Sequence, residues 1–268
     1  RQYDHEVRGA TAIKPIQGKI GKEVHGDSSV LKPVENSWKG LALTADVNPY
    51  LMEANPYHGT MSAVEEICRN LASVGARIDS LADCLCFGNP QRPDIMGQFK
   101  SSCDALRDAA TSVDVPYVSG NVSLYNETAE GAIPPTPVLM GIGLVNDIRK
   151  CVTSDLKEEG SIWLVGENKG QMGASLYYRT MGIECPNVPT TDFDSFIPRM
   201  EQLIDAIESG EVVACHDIST GGIALSVIEM CMSGVGAKIK LSGNMRADLE
   251  LFNESNGRWI VQVKPGLE

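Results

Sequence analysis

Short apolar runs alternate along the chain with longer segments in which apolar residues recur at helical spacing. The short runs are typical of strands, and the longer segments are typical of amphipathic helices. This alternation favours an α/β or α+β architecture over a helical bundle or a β-sandwich. In the first half of the chain, the candidate strands are residues 41–46, 81–87, 115–118 and 138–145.

Two helices are predicted between these strands. Residues 60–75 carry apolar side chains on one face, with Thr60 as a candidate N-cap and Gly75 as a stop signal. Residues 94–113 show the same periodicity. Both helices need a sheet to pack on.

The pattern restarts after a proline-rich stretch at 133–137 and a charged connection at 155–160. We therefore predict two domains, 1–153 and 154–268. The second domain is expected to contain its own sheet. Its predicted elements are strands at 162–166 and 212–215, helices at 194–209 and 222–233, and a strand-like segment at 258–263.

The charge balance restricts the class of partner. The 268 residues carry a formal net charge of -12, which repels nucleic-acid phosphates and anionic membrane surfaces. Small anionic ligands are compatible with this charge, since backbone amides, helix N-termini and Mg²⁺ can bind phosphate locally. With no bilayer-length apolar stretch and no leader-like start, we expect a cytoplasmic protein. The chain begins with Arg1 rather than Met and stops just after a strand-like segment, so we interpret it as a piece of a longer protein.

The cysteines do not form a metal or disulfide pattern. There are eight of them and no C-x-x-C pair, and most lie inside apolar runs. Buried free thiols are therefore favoured over zinc ligands or disulfides. The cysteines are Cys68, Cys84, Cys86, Cys103, Cys151, Cys185, Cys215 and Cys231.

The segment 118–127 is the most informative for chemistry. Its Gly120 allows close approach to the backbone, while Asn121 and Ser123 offer short oxygen ligands suited to phosphate or Mg²⁺. The alternative is a turn with Asx-type hydrogen bonds. Asp83 lies in an otherwise apolar strand, where an unpaired buried anion costs several kcal/mol. We therefore expect Asp83 to be hydrogen-bonded or to face a site.

Two further segments carry candidate ligands. Glu66 and Asn70 are four residues apart on a predicted helix and could share a divalent cation, although a solvated polar face explains them as well. Residues 215–222 join a strand to a helix and include Asp217 and two glycines, a combination that suits an anion at a helix N-terminus. His216 is interpreted as a structural hydrogen-bonding residue rather than a catalytic base. Neither common nucleotide fingerprint is present.

Read together, seven segments in order along the chain resemble the synthetase subunit of phosphoribosylformylglycinamidine synthase. They are residues 1–7, 66–70, 87–90, 118–127, 135–137, 216–222 and 251–258. The family is a tandem of two similar halves, and this chain resembles the second, C-terminal half. The resemblance implies an aminoimidazole-ribonucleotide-synthetase-like fold with an N-terminal small α/β domain and a C-terminal mixed-sheet α/β domain, the latter truncated here.

The implied activity is that of a ligase of purine biosynthesis. With ATP and Mg²⁺, it converts formylglycinamide ribonucleotide and glutamine-derived ammonia to formylglycinamidine ribonucleotide. By motif, Asp83 and Gly120 contact ATP, Asn121 ligates Mg²⁺ and Ser123 contacts the ribonucleotide. Glu66, Asn70 and Asp217 would hold the Mg²⁺ of an auxiliary nucleotide site. The family's catalytic histidine belongs to the first half, so this half has no catalytic residue.

The implied partners are the missing first half, a glutaminase subunit and a small bridging subunit. We expect the isolated chain to be inactive and to self-associate weakly through the apolar surface that the first half would cover. Four residues depart from the usual pattern, and fewer anionic ligands weaken a Mg²⁺ site, the auxiliary one above all. They are Asn55 for Asp, Cys86 for Asn, Gln91 for Glu and Thr220 for Asp.

Three alternatives stay open. The chain could be a non-catalytic nucleotide-binding scaffold that completes a partner's site. It could be a relative of the same architecture, such as aminoimidazole ribonucleotide synthetase, selenophosphate synthetase or thiamine monophosphate kinase, although residues 119–127 argue against these. It could also be a two-domain α/β protein with another ligand.

Overall fold

A computed structural model describes residues 9–267, so the first matching segment, residues 1–7, lies outside the described residues. The strands in chain order are β1 (Thr11–Ile13), β2 (Ile16–Lys19), β3 (Lys22–His25), β4 (Ser29–Leu31), β5 (Gly40–Asp46), β6 (Arg77–Cys86), β7 (Tyr117–Ser123), β8 (Glu127–Thr128), β9 (Gly131–Ala132), β10 (Thr136–Val145), β11 (Ile162–Val165), β12 (Val212–Asp217) and β13 (Trp259–Val263). The helices are α1 (Pro49–Ala54), α2 (Pro56–Ser73), α3 (Pro93–Val113), α4 (Leu176–Thr180), α5 (Phe193–Ser209), α6 (Gly222–Cys231) and α7 (Ala247–Phe252), with a short 3-10 helix at Ile148–Lys150.

The first domain is built on a six-stranded mixed sheet in the order β1-β4-β5-β10-β6-β7. Only the β6–β7 pair is parallel within this sheet. Helices α2 and α3 cover one face. Helix α2 crosses β10 closely because Gly141 has no Cβ at the point where the Ile67 side chain lies. The α/β two-domain fold predicted from the sequence is confirmed.

The second domain has a three-stranded antiparallel sheet in the order β11-β13-β12. A parallel bridge from Thr153 to Ala214 connects the interdomain segment to β12. One apolar core runs from α2 through α5 to the second sheet, where Phe196 stacks on Trp259. The boundary between residues 153 and 154 stays a prediction within the segment that joins the two sheets. None of the helices in residues 9–267 is long and apolar enough to span a bilayer.

Helix α2 starts earlier than predicted. Its N-cap is Asn55, whose side chain accepts a hydrogen bond from the His58 amide, and Pro56 is the first helical residue. Thr60 is inside the helix and donates to the Pro56 carbonyl. The prediction of Thr60 as N-cap was wrong because the Asn-Pro pair is an equally strong start signal one turn earlier.

Strand β7 also differs from its prediction. The sequence placed a strand at 115–118 followed by a polar strand end, whereas the structure extends the strand through Ser119–Ser123. β7 is the edge of the sheet and most of it is exposed. An edge strand needs fewer apolar side chains than a central strand, so polar residues continue it without cost.

Candidate functional site

Strands β6 and β7 bring together four of the predicted site residues, which we call the sheet-edge site: Asp83, Gly120, Asn121 and Ser123. In the parallel register, Asp83 pairs with Gly120, and Cys84 pairs with Asn121. Since successive side chains alternate across a sheet, Asp83 lies on the face that carries the buried Leu81 and Leu85. Asn121 and Ser123 lie on the opposite face. The sheet-edge site therefore has Asp83 and Gly120 on one face of the sheet, and Asn121 and Ser123 on the other.

Asp83 and Gly120 pack against each other. A Cβ at position 120 would lie 2.8 Å from the Asp83 Oδ1 atom, which is too close for any side chain. Burial raises the pKa of Asp83, and a hydrogen bond from the Asn121 backbone amide opposes that rise. Asp83 therefore packs on the backbone of β7, and the expectation that it faces a site stays a prediction.

The residues after β7 form a tight turn. Tyr125 adopts the left-handed region with φ of 61°, and the Asn126 amide donates to the carbonyls of Phe87 at 3.0 Å and Ser123 at 2.9 Å. The Asn126 side chain donates both bonds, whereas in an Asx-type turn the side-chain oxygen accepts, so the Asx-type alternative was wrong: residues 119–123 lie in β7, and the turn around Tyr125 follows it. It fixes the loop that carries the end of the motif.

Helix α2 and strand β12 bring together a second group, the junction site: Glu66, Asn70 and Asp217, together with Asp46 and Arg69. The Arg69 guanidinium is fully buried, with Nε 3.1 Å from Asp217 Oδ2 and Nη2 3.4 Å from Glu66 Oε2. Its Nη1 atom also lies 2.5 Å from Oε2 of the buried Glu65. The polar face of α2 is therefore buried against the second domain, and the solvated-face explanation of Glu66 and Asn70 was wrong.

Carboxylates outnumber cationic groups at the junction site. Burial raises the pKa of Glu66 well above its usual value, and the nearby Asp46 carboxylate raises it further. The Oδ2 atom of Asp46 is buried and has no hydrogen-bond partner. Carboxylate and amide oxygens are the ligand types that Mg²⁺ prefers, but the carboxylates of Asp46, Glu66 and Asp217 do not lie at metal-ligand spacing from one another.

His216 is held from both sides. Its Nδ1 lies 2.6 Å from Asp27 Oδ1 and its Nε2 lies 2.9 Å from Glu229 Oε2. These carboxylates raise the pKa of His216 well above its usual value although burial alone would lower it. Of the described residues, only Asp27, His216 and Asp217 form a three-residue group with metal-ligand spacing, but a protonated imidazole does not bind a metal. His216 is thus hydrogen-bonded through both ring nitrogens, as predicted, and its interpretation as a structural residue stays a prediction.

The start of α6 is not a free anion site. Gly221 and Gly222 have φ of 83° and 63°, so glycine suits both positions. The Gly221 amide already donates to Glu254 Oε1 at 2.8 Å.

Beside this loop is a narrow cleft of about 20 Å³, which has room for about one water molecule. Its lining includes Asn48, Glu66, Arg69, Ser219, Thr220, Glu254 and Asn256.

Sequence reasoning missed several junction residues. Asp46 ends a predicted strand and could have been found as a carboxylate at a strand end. Asp27, Glu65 and Arg69 offered no such signal, because each acquires its role from a residue more than a hundred positions away or from burial.

Comparison with known proteins identifies both domains. Residues 25–145 match the model of the AIR synthase related protein N-terminal domain, and residues 157–268 match that of its C-terminal domain. The two matches follow each other in the same order as the two sheets.

Curated relatives share the sequence over its whole length. The phosphoribosylformylglycinamidine synthase subunit PurL of Methanothrix thermoacetophila is 40% identical over 281 residues, covering 100% of this chain and 35% of the relative. That of Thermococcus sibiricus is 41% identical over 271 residues, covering 98% and 36%. The chain thus spans about a third of the length of the curated relatives it matches.

Solved structures share the fold. A Thermotoga maritima PurLQS structure matches with a TM-score of 0.67 at 22% identity, covering 98% of this chain and 37% of that one. A structure of AaThiL with AMPPCP and TMP matches with a TM-score of 0.54 at 17% identity, covering 89% and 79%. The two domain matches and the two-sheet fold agree: the chain is similar over its whole length to a segment of the PurL subunits, and it belongs to the AIR synthase related family.

Proposed function

We propose that this chain is the second half of a formylglycinamide ribonucleotide synthetase and contributes nucleotide, Mg²⁺ and substrate contacts to it. The full-length protein would use ATP and glutamine-derived ammonia to make formylglycinamidine ribonucleotide. PurL structures from Thermotoga maritima have been solved with ATP and with FGAR. The observation that carries the proposal is the packing of Asp83 on Gly120, which places a carboxylate against an exposed stretch of backbone.

The reaction joins an amide oxygen of the ribonucleotide to the γ-phosphorus of ATP with loss of ADP, and ammonia then displaces the phosphate. Asp83 and Gly120 would bind the nucleotide, with the bare Gly120 backbone allowing close approach. Asn121 would hold Mg²⁺, which neutralises phosphate charge when bound. Ser123 would orient the ribonucleotide from the same face of β7. Positioning and charge stabilisation of this kind supply most of the rate enhancement in phosphoryl transfer.

The junction site supports a second role, that of an auxiliary Mg²⁺-nucleotide site formed by Glu66, Asn70 and Asp217. The unpaired Asp46 oxygen and the raised pKa of Glu66 favour it. The ion pair between Arg69 and Asp217 argues against this role, because it occupies a carboxylate that would have to bind Mg²⁺. Thr220 in place of the usual Asp removes one more anionic ligand, so binding here would be weaker than at the sheet edge.

The uncovered side of the first sheet supports the missing first half as a partner. We call it the open face: Leu41, Leu43, Met140, Ile142 and Leu144. Met140 and Leu144 are 36% and 50% exposed, and β5 and β10 pair so that these residues form one patch. Contiguous apolar patches of this kind mark protein interfaces.

A glutaminase subunit and a small bridging subunit are further proposed partners, and the cytoplasm is the proposed location.

A non-catalytic nucleotide-binding scaffold is the second candidate function. It is favoured for the isolated chain, because Asn121 is exposed and nothing in residues 9–267 covers it. Under this alternative the chain binds nucleotide without turnover. The related single-copy enzymes are a weaker alternative, although this chain covers 79% of AaThiL.

The binding test uses the chain itself. Mg²⁺-AMPPCP is titrated into the wild type, Gly120→Ala and Gly97→Ala. Gly97 is a matched control because a Cβ there meets no atom within 4 Å. We expect Gly120→Ala to weaken binding at least about tenfold, since the new methyl displaces Asp83, and Gly97→Ala to have no effect. Equal affinity of all three proteins would end the nucleotide assignment of Gly120.

A turnover test accompanies it. With ATP, formylglycinamide ribonucleotide and ammonia, the isolated chain is expected to release no ADP because the first half is absent. Steady ADP release that depends on the ribonucleotide would contradict the half-site proposal while leaving the binding result intact.

A further inference from the structure

Two thiols are adjacent on the first sheet. Cys84 and Cys86 are two residues apart on β6, so both side chains project from the same face. Their Sγ atoms are 3.8 Å apart. Neither residue is fully buried, and the face that carries them is the one left uncovered by α2 and α3. These thiols are therefore close to each other and open to solvent.

The neighbouring strand adds two polar groups. Asn121 pairs with Cys84, and Ser123 pairs with Cys86. The Asn121 side-chain nitrogen is 3.4 Å from the Cys84 sulfur, and the Ser123 hydroxyl accepts a hydrogen bond from the Asn126 side chain at 3.1 Å. A rotation of the Asn121 amide would bring its oxygen to the same place. The two thiols, the Asn121 amide and the Ser123 hydroxyl therefore lie on the same face of two paired strands.

The sulfur spacing matches that of a chelate. In a tetrahedral site with Zn–S bonds of about 2.3 Å, two sulfur ligands are about 3.8 Å apart. Soft thiolate ligands favour d¹⁰ cations such as Zn²⁺ and Cd²⁺ over Mg²⁺. The strand already holds the sulfurs at that separation, so chelation requires no backbone movement.

We propose that Cys84 and Cys86 form a binding site for a thiophilic divalent cation of the Zn²⁺ class, with Asn121 and Ser123 as weaker oxygen ligands. Binding forms two metal–sulfur bonds, and the two thiol protons leave to the buffer. The site is independent of the proposed synthetase function. Where that function also holds, the cation competes for Asn121 and Ser123 and inhibits the full-length enzyme.

The test is a Cd²⁺ titration of the reduced chain, followed by sulfur-to-cadmium charge-transfer absorbance, with Zn²⁺ affinity measured by competition against a chromophoric chelator. We expect one tight site in the wild type. Cys84→Ser and Cys86→Ser should each weaken it at least about tenfold, because each removes one of two thiolate ligands. Cys185→Ser and Cys231→Ser are matched controls, since both are partly exposed thiols away from this sheet.

Two further measurements keep the test decisive. Circular dichroism and melting temperature of each variant show that it is folded, and Cys84→Ala provides a second replacement if Cys84→Ser is not. Release of about two protons per cation supports the dithiol site. Unchanged affinity in folded Cys84→Ser and Cys86→Ser variants, or an equal loss in the Cys185→Ser control, would overturn the proposal.

Discussion

The sheet-edge site and the junction site differ in how much of their surroundings this chain provides. The side chain of Asn121 at the sheet edge is exposed and makes one weak hydrogen bond, to a sulfur. Arg69 at the junction is buried among three carboxylates from two domains. The junction residues therefore hold the domains together whether or not a ligand binds. The sheet-edge residues contribute little to the fold, and their role depends on what covers them.

The comparison predicts its largest effect at Arg69. Arg69→Ala removes the guanidinium that bonds both Glu65 and Asp217 and leaves these buried carboxylates without that partner. We expect a loss of about 3 to 5 kcal/mol in the free energy of unfolding. The measurement is chemical denaturation at neutral pH.

Arg77→Ala is the control for Arg69→Ala. Arg77 also bridges the two domains, through Glu201, Asp205 and Glu208, but its side chain is 33% exposed. Solvent screening should limit its loss to about 1 kcal/mol or less. Equal losses from both variants would show that burial is not what separates the junction from the surface.

The second effect is at Asn121, in the full-length enzyme with both halves. Asn121→Ala removes one proposed Mg²⁺ ligand and little packing, so kcat/KM should fall about 10²-fold or more, roughly 3 kcal/mol, at an unchanged melting temperature. Ser123→Ala should instead raise KM for the ribonucleotide more than KM for ATP. Normal kinetics in a less stable Asn121→Ala protein would mean that the sheet edge is structural after all.

The third effect is a pH dependence of the junction. Burial lowers the pKa of His216, but the carboxylates of Asp27, Glu229 and Asp217 outweigh it and raise that pKa in the folded state. The folded protein therefore holds this proton more tightly than the unfolded chain does. The resulting stability is fully present below about pH 6.5 and is lost as pH rises through the folded pKa. Each factor of ten by which folding tightens the hold on the proton contributes about 1.4 kcal/mol. Melting temperature measured against pH should fall over this window.

His216→Gln should flatten that pH profile, because glutamine cannot hold the proton. The same substitution at the exposed His25 serves as its control and should leave the fall in place. If His216→Gln keeps the wild-type profile, the charge of His216 does not stabilise the junction.

The smallest effect on folding is expected on the open face. Leu144→Ser should change the free energy of unfolding of the monomer by less than about 0.5 kcal/mol, since Leu144 is half exposed. It should nevertheless weaken self-association, which sedimentation over a concentration series measures. Leu139→Ser on the covered face of the same strand is the contrast and should destabilise strongly, because Leu139 is fully buried. A wild-type chain that stays monomeric at every concentration would count against the missing-half interpretation.

Patterns within short segments of the sequence were sufficient to predict two of the long helices and the family. Apolar periodicity gave helices α3 and α5 to within a residue, because their buried faces repeat at helical spacing. The order of short motifs identified the family. The sheet-edge residues could also be selected from the sequence, because Asp83 and residues 119–123 are each unusual in their own sequence context. The structure then shows that they are neighbours on parallel strands.

The sequence alone determined the two-domain α/β architecture and the family, because both depend on patterns within contiguous segments. Tertiary structure decided which side chains meet. It placed Asp83 and Asn121 on opposite faces of the sheet, since their strand pairing sets the alternation. It brought Arg69 to Asp217, which lies 148 residues away, and it set Cys84 beside Cys86 and Asn121. The cysteines were predicted to be buried free thiols; all eight are free, but only Cys68 and Cys215 are buried, and β6 holds the Sγ atoms of Cys84 and Cys86 3.8 Å apart without any C-x-x-C motif. Charge pairing and ligand geometry depend on distances in space, and these become fixed only when the domains pack.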